Sequence, residues 1–342
     1  MSDRVLRKTV ISLIIASIAT APLFLLHGNA FAASASPPWS MQENVQYGTA
    51  DGVNLLMDVY TPTHGSAPFP AIVLLHAGGF YKGDKSDPDV VRVSHILAAV
   101  GYVVFNTNYR LAPQYPFPAA VDDVQQAVLF VRQDADRFRI DPARIGIAGA
   151  SAGSTIGAWV AYVGTGPLDT GSRVAAVVTW SGPFDLPAVL NEGRDLGSNT
   201  ANGWLTPGPD LLQEAIRASP ITYVDPSDPP ILMMNAAHEQ SSLDQPERMK
   251  VALEKVGVPA QIHVLRGGNH ALGGSNFAPD VFYGLLFFDK ELEHSSFGTL
   301  KFNLLQPLPH DRPIVRALFW IAMAALLIWA LVSALRPRPA RT

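Results

Sequence analysis

The sequence predicts an α/β protein built on a mostly parallel, doubly wound sheet flanked by helices. Three observations carry that expectation. Short apolar runs of strand length alternate with stretches of helical periodicity through the middle of the chain. A Gly-x-Ser-x-Gly run, Gly149-Ala150-Ser151-Ala152-Gly153, lies between one such strand and one such helix. A Gly-rich loop, Arg266-Gly267-Gly268-Asn269-His270, follows the last strand and precedes the last helix.

The elements follow in order. Val53–Tyr60 reads as an early strand and Ala71–Leu75 as a buried one. A helix-like stretch, Val90–Val100, leads into the strand Tyr102–Asn106. Within 118–132, Val121, Val124, Ala127, Val128 and Val131 repeat at helical spacing and form one apolar face. Strand Arg144–Ala148, a helix from Ala152 and strand Val174–Trp180 come next. Leu186–Ser219 breaks the alternation with Gly, Pro, Asn and polar residues, and a stretch that long predicts a cap over a site. Strand Ile231–Asn235 is followed by a helix marked by Met249, Leu253 and Val256 and closed by Gly257. Gln261–Leu265 is the last strand, and Pro279–Glu291 the last helix. No internal repeat is visible.

Composition narrows the functions available. With 342 residues, 48% of them hydrophobic and 16% charged, the chain can bury a large core and is not disordered. It has no cysteine, which excludes disulfides, thiol catalysis, thiolate metal sites and iron–sulfur clusters. Residues 1–8 carry a net +2 and residues 313–342 a net +4, so the overall −4 corresponds to −10 between them. An acidic body argues against nucleic acid as a partner.

The ends predict an address. Arg4, Arg7 and Lys8 precede the apolar run Val10–Leu26, and Ala30-Phe31-Ala32 supplies an A-x-A site, so residues 1–32 read as a secretory signal. Residues 33–297 would form the folded body, with its cap at 186–219, and 298–313 a Pro-punctuated linker. A C-terminal transmembrane helix is expected over 314–335. Its charge-free part, Ala317–Leu335, approaches the ~20 residues that span a bilayer. Arg336, Arg338 and Arg341 then give residues 336–342 the look of a basic cytoplasmic tail. The expectation is an exported protein, tethered to the membrane with its body outside.

The chemistry starts at Ser151. A tight strand-to-helix turn projects the serine hydroxyl above the sheet edge, and the helix N-terminus favours the negative charge that develops on attack. His76-Ala77-Gly78-Gly79-Phe80 follows the strand Ala71–Leu75, where Gly78 and Gly79 can bring backbone N–H groups close to a ligand. With the N–H of Ala152 they would form an oxyanion hole. Of nine histidines, His270 stands where a base is needed, after the last strand and in the chain order Ser, acid, His. The acid should leave the strand Ile231–Asn235, with Glu239 and Asp244 as candidates. Glu239 is the first carboxylate beyond the strand, whereas Asp244 is also placed to cap the following helix.

The segment Asn108-Tyr109-Arg110-Leu111-Ala112-Pro113, continuing through Phe117-Pro118-Ala119-Ala120-Val121-Asp122-Asp123, resembles the hormone-sensitive-lipase-like and acetyl/feruloyl-esterase branch of the α/β-hydrolases. So do HAGGF with Gly83-Asp84-Lys85 after it, the GASAG turn, and Ser219-Pro220 before the acid strand. The resemblance covers roughly residues 45–293. It implies the α/β-hydrolase fold and a serine carboxylesterase acting on short acyl esters without cofactor or metal. It also implies catalytic roles for Ser151, His270, Gly78, Gly79 and Ala152, and structural ones for Arg110, Asp122 and Asp123.

There are two departures from the family pattern. Ala77 replaces the first Gly of the family's HGGG, and Asn235-Ala236-Ala237-His238-Glu239 replaces H-G-x-x-D, which puts Glu239 at the acid position. The expected substrate is a small-molecule or polymer-borne ester, and neither its identity nor the oligomeric state is readable from the sequence. The alternatives are a hydrolase-fold binding protein with impaired catalysis, or a serine peptidase of the prolyl-oligopeptidase type.

Overall fold

The structure, a computed structural model, describes residues 37–191, 203–237, 243–265, 270–272 and 277–293. The predicted signal (1–32), linker (298–313), transmembrane helix (314–335) and basic tail (336–342) lie outside the described residues, as does Glu239. Among the described residues, no helix is long and apolar enough to cross a membrane.

Eight described strands make one sheet in the order β1-β2-β4-β3-β5-β6-β7-β8. They are β1 (Trp39–Ala50), β2 (Val53–Pro62), β3 (Phe69–Leu75), β4 (Val103–Thr107), β5 (Ile140–Ala150), β6 (Ala176–Trp180), β7 (Ile231–Ala236) and β8 (Ala260–Leu265). β2 runs antiparallel to both β1 and β4, and every pair from β4 to β8 is parallel. The helices are α1 (Pro88–Ala99), α2 (Ala119–Gln133), α3 (Ala135–Phe138), α4 (Ala152–Val163), α5 (Leu186–Asn191), α6 (Leu211–Ala218), α7 (Asp244–Lys255) and α8 (Phe277–Glu291). The doubly wound α/β expectation holds.

The central strands are covered on both faces, which is why they read as unbroken apolar runs rather than alternations. Every residue of β3 is buried. Ala71, Val73 and Leu75 face one core with α2 and α4, while Ile72 and Leu74 face the other with α1 and α8.

Two parts of the architecture go beyond the sequence reading. β1 was not anticipated. It is an edge strand with only Tyr47 buried, and register shifts at 42–45 and 46–48 break the period-two pattern that would betray it. The cap, read only as an irregular stretch, contains α5 and α6. Trp204 and Leu205 between them are fully buried.

Candidate active site

The carboxyl ends of β3, β5, β6 and β8 converge on one edge of the sheet, where open α/β sheets place their ligands. Ser151 occupies the turn between β5 and α4 with φ 53° and ψ −116°, a backbone conformation costly for a residue with a side chain. The two glycines of the motif explain how the turn closes. A Cβ on Gly149 would lie 2.2 Å from the Gly153 carbonyl oxygen, and one on Gly153 would lie 2.6 Å from that of His76. The nucleophile turn and the loop after β3 are thus packed backbone against backbone.

His270 Nε2 lies 2.8 Å from Ser151 Oγ, joining residues 119 apart in sequence. That distance is within hydrogen-bond reach, the geometry that proton transfer between a serine hydroxyl and an imidazole requires. These two predicted residues are brought together by the fold.

The loop after β3 carries the two predicted donor glycines. Gly78 has φ 137° and Gly79 φ 59°. A Cβ on Gly78 would come within 1.8 Å of the Lys82 carbonyl oxygen, so only glycine fits. Ala77, the departure from the family's triple glycine, is not among the residues with positive φ, so the alanine is accommodated without strain. Phe80 extends the left-handed run at φ 69°. Its ring is stacked on Trp204 of the cap, centroids 3.6 Å apart. Ala152, the third predicted donor, is the first residue of α4 and is buried.

The family-like segment supports this loop from behind. His76 is buried, and burial pushes its imidazole below the usual range. The neutral ring donates from Nδ1 to the Ala77 carbonyl at 2.7 Å. Tyr109 stacks on the His76 ring at 4.3 Å and donates its hydroxyl to the His76 carbonyl at 2.9 Å. Asn108 accepts the Lys85 N–H at 2.6 Å and donates to Asp84 at 2.7 Å. Lys85 pairs with buried Asp58 at 2.8 Å. Arg110 is held by Asp123 at 2.8 Å and by Asp51. Arg110 and Asp123 are therefore scaffold, as expected from the resemblance.

Of the acid candidates, Glu239 falls outside the described residues. Asp244 is described, and its expected capping role is corrected. Leu243 holds the cap position of α7 and Asp244 is the first helical residue. Its carboxylate accepts from Arg248 Nε at 3.3 Å. A first-turn carboxylate still suits the helix dipole. Sequence reasoning missed Trp180, Ser181 and Trp204 as supports of the site, because their partners lie far along the chain and no local motif marks them. Tyr109 stands in the family-like segment, but its contact with His76 is not legible there.

The BD-FAE family model matches residues 57–251, more than half of the chain. The chain belongs to the BD-FAE family. The matched segment contains the Gly-rich loop and Ser151, and His270 lies beyond it. Curated relatives similar to this BD-FAE chain include carboxylesterase NlhH of Mycobacterium tuberculosis, 39% identical over 105 residues, 31% of this chain and 33% of that one. Arylacetamide deacetylase of Oryctolagus cuniculus is 36% identical over 129 residues, 36% of this chain and 32% of that one. The similarity thus spans about a third of the length of these relatives.

Among solved structures, a truncated carbohydrate esterase from gut microbiota superposes with a TM-score of 0.61 at 23% identity, over 76% of this chain and 99% of that one. An acetyl ester-xyloside bifunctional hydrolase from Caldicellulosiruptor lactoaceticus gives 0.60 at 23% identity, over 77% and 97%. At such identities the likeness establishes the α/β-hydrolase fold of this BD-FAE chain.

Proposed function

We propose that the protein is a serine carboxylic-ester hydrolase that cleaves short-chain acyl esters through an acyl-enzyme. The observation that carries this reading is Ser151 Oγ at 2.8 Å from His270 Nε2, on a strained turn beside the Gly78-Gly79 loop. His270 takes the Ser151 proton as Oγ bonds to the ester carbonyl carbon. The carbonyl π electrons move to oxygen, and the N–H groups of Gly78, Gly79 and Ala152 are the donors assigned to that oxyanion. The intermediate collapses, the alcohol leaves with the proton from His270, and acyl-Ser151 remains. Water, deprotonated by His270, attacks the acyl carbon; the carbon–Oγ bond then breaks, His270 returns the proton to Ser151 Oγ, and the acid is released. Glu239 is assigned to accept Nδ1–H of His270, holding its tautomer and stabilising the imidazolium.

The carboxylesterase, carbohydrate esterase and acetyl ester hydrolase among its relatives and structural neighbours support ester substrates. Fluorophosphonate labelling of Ser151, with a p-nitrophenyl ester series of increasing acyl length, tests the reading. Ser151→Ala should lose both the label and the turnover, by on the order of 10⁶-fold in rate. Activity above a tenth of wild type in that variant would end it.

The proposal includes an address outside the cytoplasm, with a C-terminal tether. It is supported by the apolar runs Val10–Leu26 and Ala317–Leu335 and their basic flanks. Protease added to intact spheroplasts should digest the body and spare a tag at Thr342. A full-length protein found only in the soluble fraction would refute the tether.

A further inference from the structure

The end of β6 holds both members of the Ser151–His270 pair. Trp180, the last residue of the strand, accepts the Ser151 N–H on its carbonyl oxygen at 2.7 Å. Ser181, the next residue, accepts the Ala271 N–H on its hydroxyl oxygen at 2.8 Å. Ala271 directly follows His270. Two neighbouring residues thus tie the nucleophile turn and the histidine loop to one point of the sheet. That point is itself fixed, because the Ser181 N–H donates to the Met234 carbonyl at 2.8 Å, continuing the pairing of β6 with β7.

The backbone marks this contact as a constrained one. Ser181 has φ 60° and Ala271 φ 56°, a region that side-chain-bearing residues other than Asn and Asp rarely enter. Two such residues joined by a hydrogen bond persist only where the surroundings over-determine them. Ser181 is 2% exposed, so water is no substitute acceptor for the Ala271 N–H. The hydroxyl has no part in the proposed bond changes at Ser151.

We propose that Ser181 is a positioning residue for His270. Its hydroxyl oxygen fixes the Ala271 N–H and so sets the imidazole against Ser151 Oγ. The inference rests on the reading of Ser151 as nucleophile and His270 as base.

Two substitutions separate positioning from plain structural support. Ser181→Ala removes the acceptor and keeps the backbone strain. Ser181→Gly removes the acceptor and relieves the strain, because glycine enters the left-handed region freely. The Gly variant should therefore melt at a higher temperature than the Ala variant. Both should lose kcat alike, by roughly ten- to a hundredfold, the scale of a sub-ångström to ångström misplacement of a catalytic group. KM on a short p-nitrophenyl ester should stay within about twofold, and the rate constant for fluorophosphonate labelling should fall in parallel with kcat.

A kcat within twofold of wild type in either variant overturns the proposal. So does a loss confined to KM, an activity that simply follows melting temperature, or a Gly variant that does not fold, since each makes the hydroxyl structural alone. Turnover retained by Ser151→Ala would instead remove the underlying reading of the site.

Discussion

The indole of Trp204 lies flat on the phenyl ring of Phe80, centroids 3.6 Å apart and planes 6° from parallel. One ring belongs to the cap and the other to the loop that carries Gly78 and Gly79. Phe80 is left-handed, and the Ala112 N–H donating to its carbonyl at 2.9 Å is a second restraint on it. The Trp204 carbonyl in turn accepts the Phe117 N–H at 2.9 Å. The cap is thereby joined to the loop on which the proposed oxyanion donors sit.

Trp204→Ala should cost about 3–5 kcal/mol of stability, the range for emptying a buried aromatic site. It should also lower kcat, because Phe80 loses the surface that holds its backbone. Urea unfolding and ester turnover check the two parts. Trp204→Phe, which keeps an aromatic face, should recover most of the turnover.

Gly153→Ala should be damaging although alanine is the better helix former. Its Cβ would press on the carbonyl oxygens of Leu75 and His76, at 2.8 and 2.6 Å. Those atoms are backbone, so relief requires the loop itself to move rather than a side chain to rotate. The expected outcome is a shift of the β3 loop away from Ser151, with lower kcat and a lower melting temperature. A variant with wild-type turnover would show that the two loops are not in register contact.

Asp228 predicts a pH effect on stability. Burial raises its carboxyl, against the Asp225 N–H bond to it and with the nearby Asp225 charge, to about 7. In the unfolded chain the same carboxyl titrates near pH ~4. Between those values the folded protein holds a proton that the unfolded chain has lost. Stability from this group is therefore complete below pH ~4 and declines as pH rises through about 7. Asp228→Asn keeps an acceptor for the Asp225 N–H and removes the charge. It should raise the melting temperature most at pH 8 and hardly at all at pH 4. The group is half-exposed, so solvent screening keeps the effect small.

What the sequence reveals is what is local. The buried strands β3, β5 and β7 are apolar runs, and Ser151, Gly78 and Gly79 sit in contiguous motifs whose strand-to-helix context is visible at once. His270 is found from its Gly-rich loop after the last strand and from chain order together. β1 is hidden by its bulges and exposure. The cap helices α5 and α6 are hidden by the Gly and Pro that surround them. Ser181 and Trp204 are hidden for another reason. Ser181 meets its partner 90 residues away, and nothing in the neighbouring sequence marks a serine whose hydroxyl will accept a backbone N–H across the site.

Glu239, rather than Asp244, is predicted to be the acid of the triad. The acid must reach Nδ1 of His270 from the end of β7, and β7 ends at Ala236. Asp244 already lies within the first turn of α7. It is bound to Arg248, which also reaches Asp185 at 3.4 Å, and Gln245 beside it is locked to the Phe184 and Asp185 N–H groups at 2.8 and 2.9 Å. A residue so engaged is an anchor for the helix start. Glutamate at 239 needs one more methylene than aspartate, a length α/β-hydrolase triads accept. Glu239→Gln should therefore cut kcat by roughly 10⁴-fold, as losing the partner that orients a catalytic histidine does. Asp244→Asn should cost about 1 kcal/mol of stability or less, through the helix dipole and its exposed ion pair, and little rate. The comparison is kcat of both variants on one short ester. If Asp244→Asn is the crippled enzyme and Glu239→Gln turns over normally, the acid comes from the start of α7, and the histidine loop meets that helix instead.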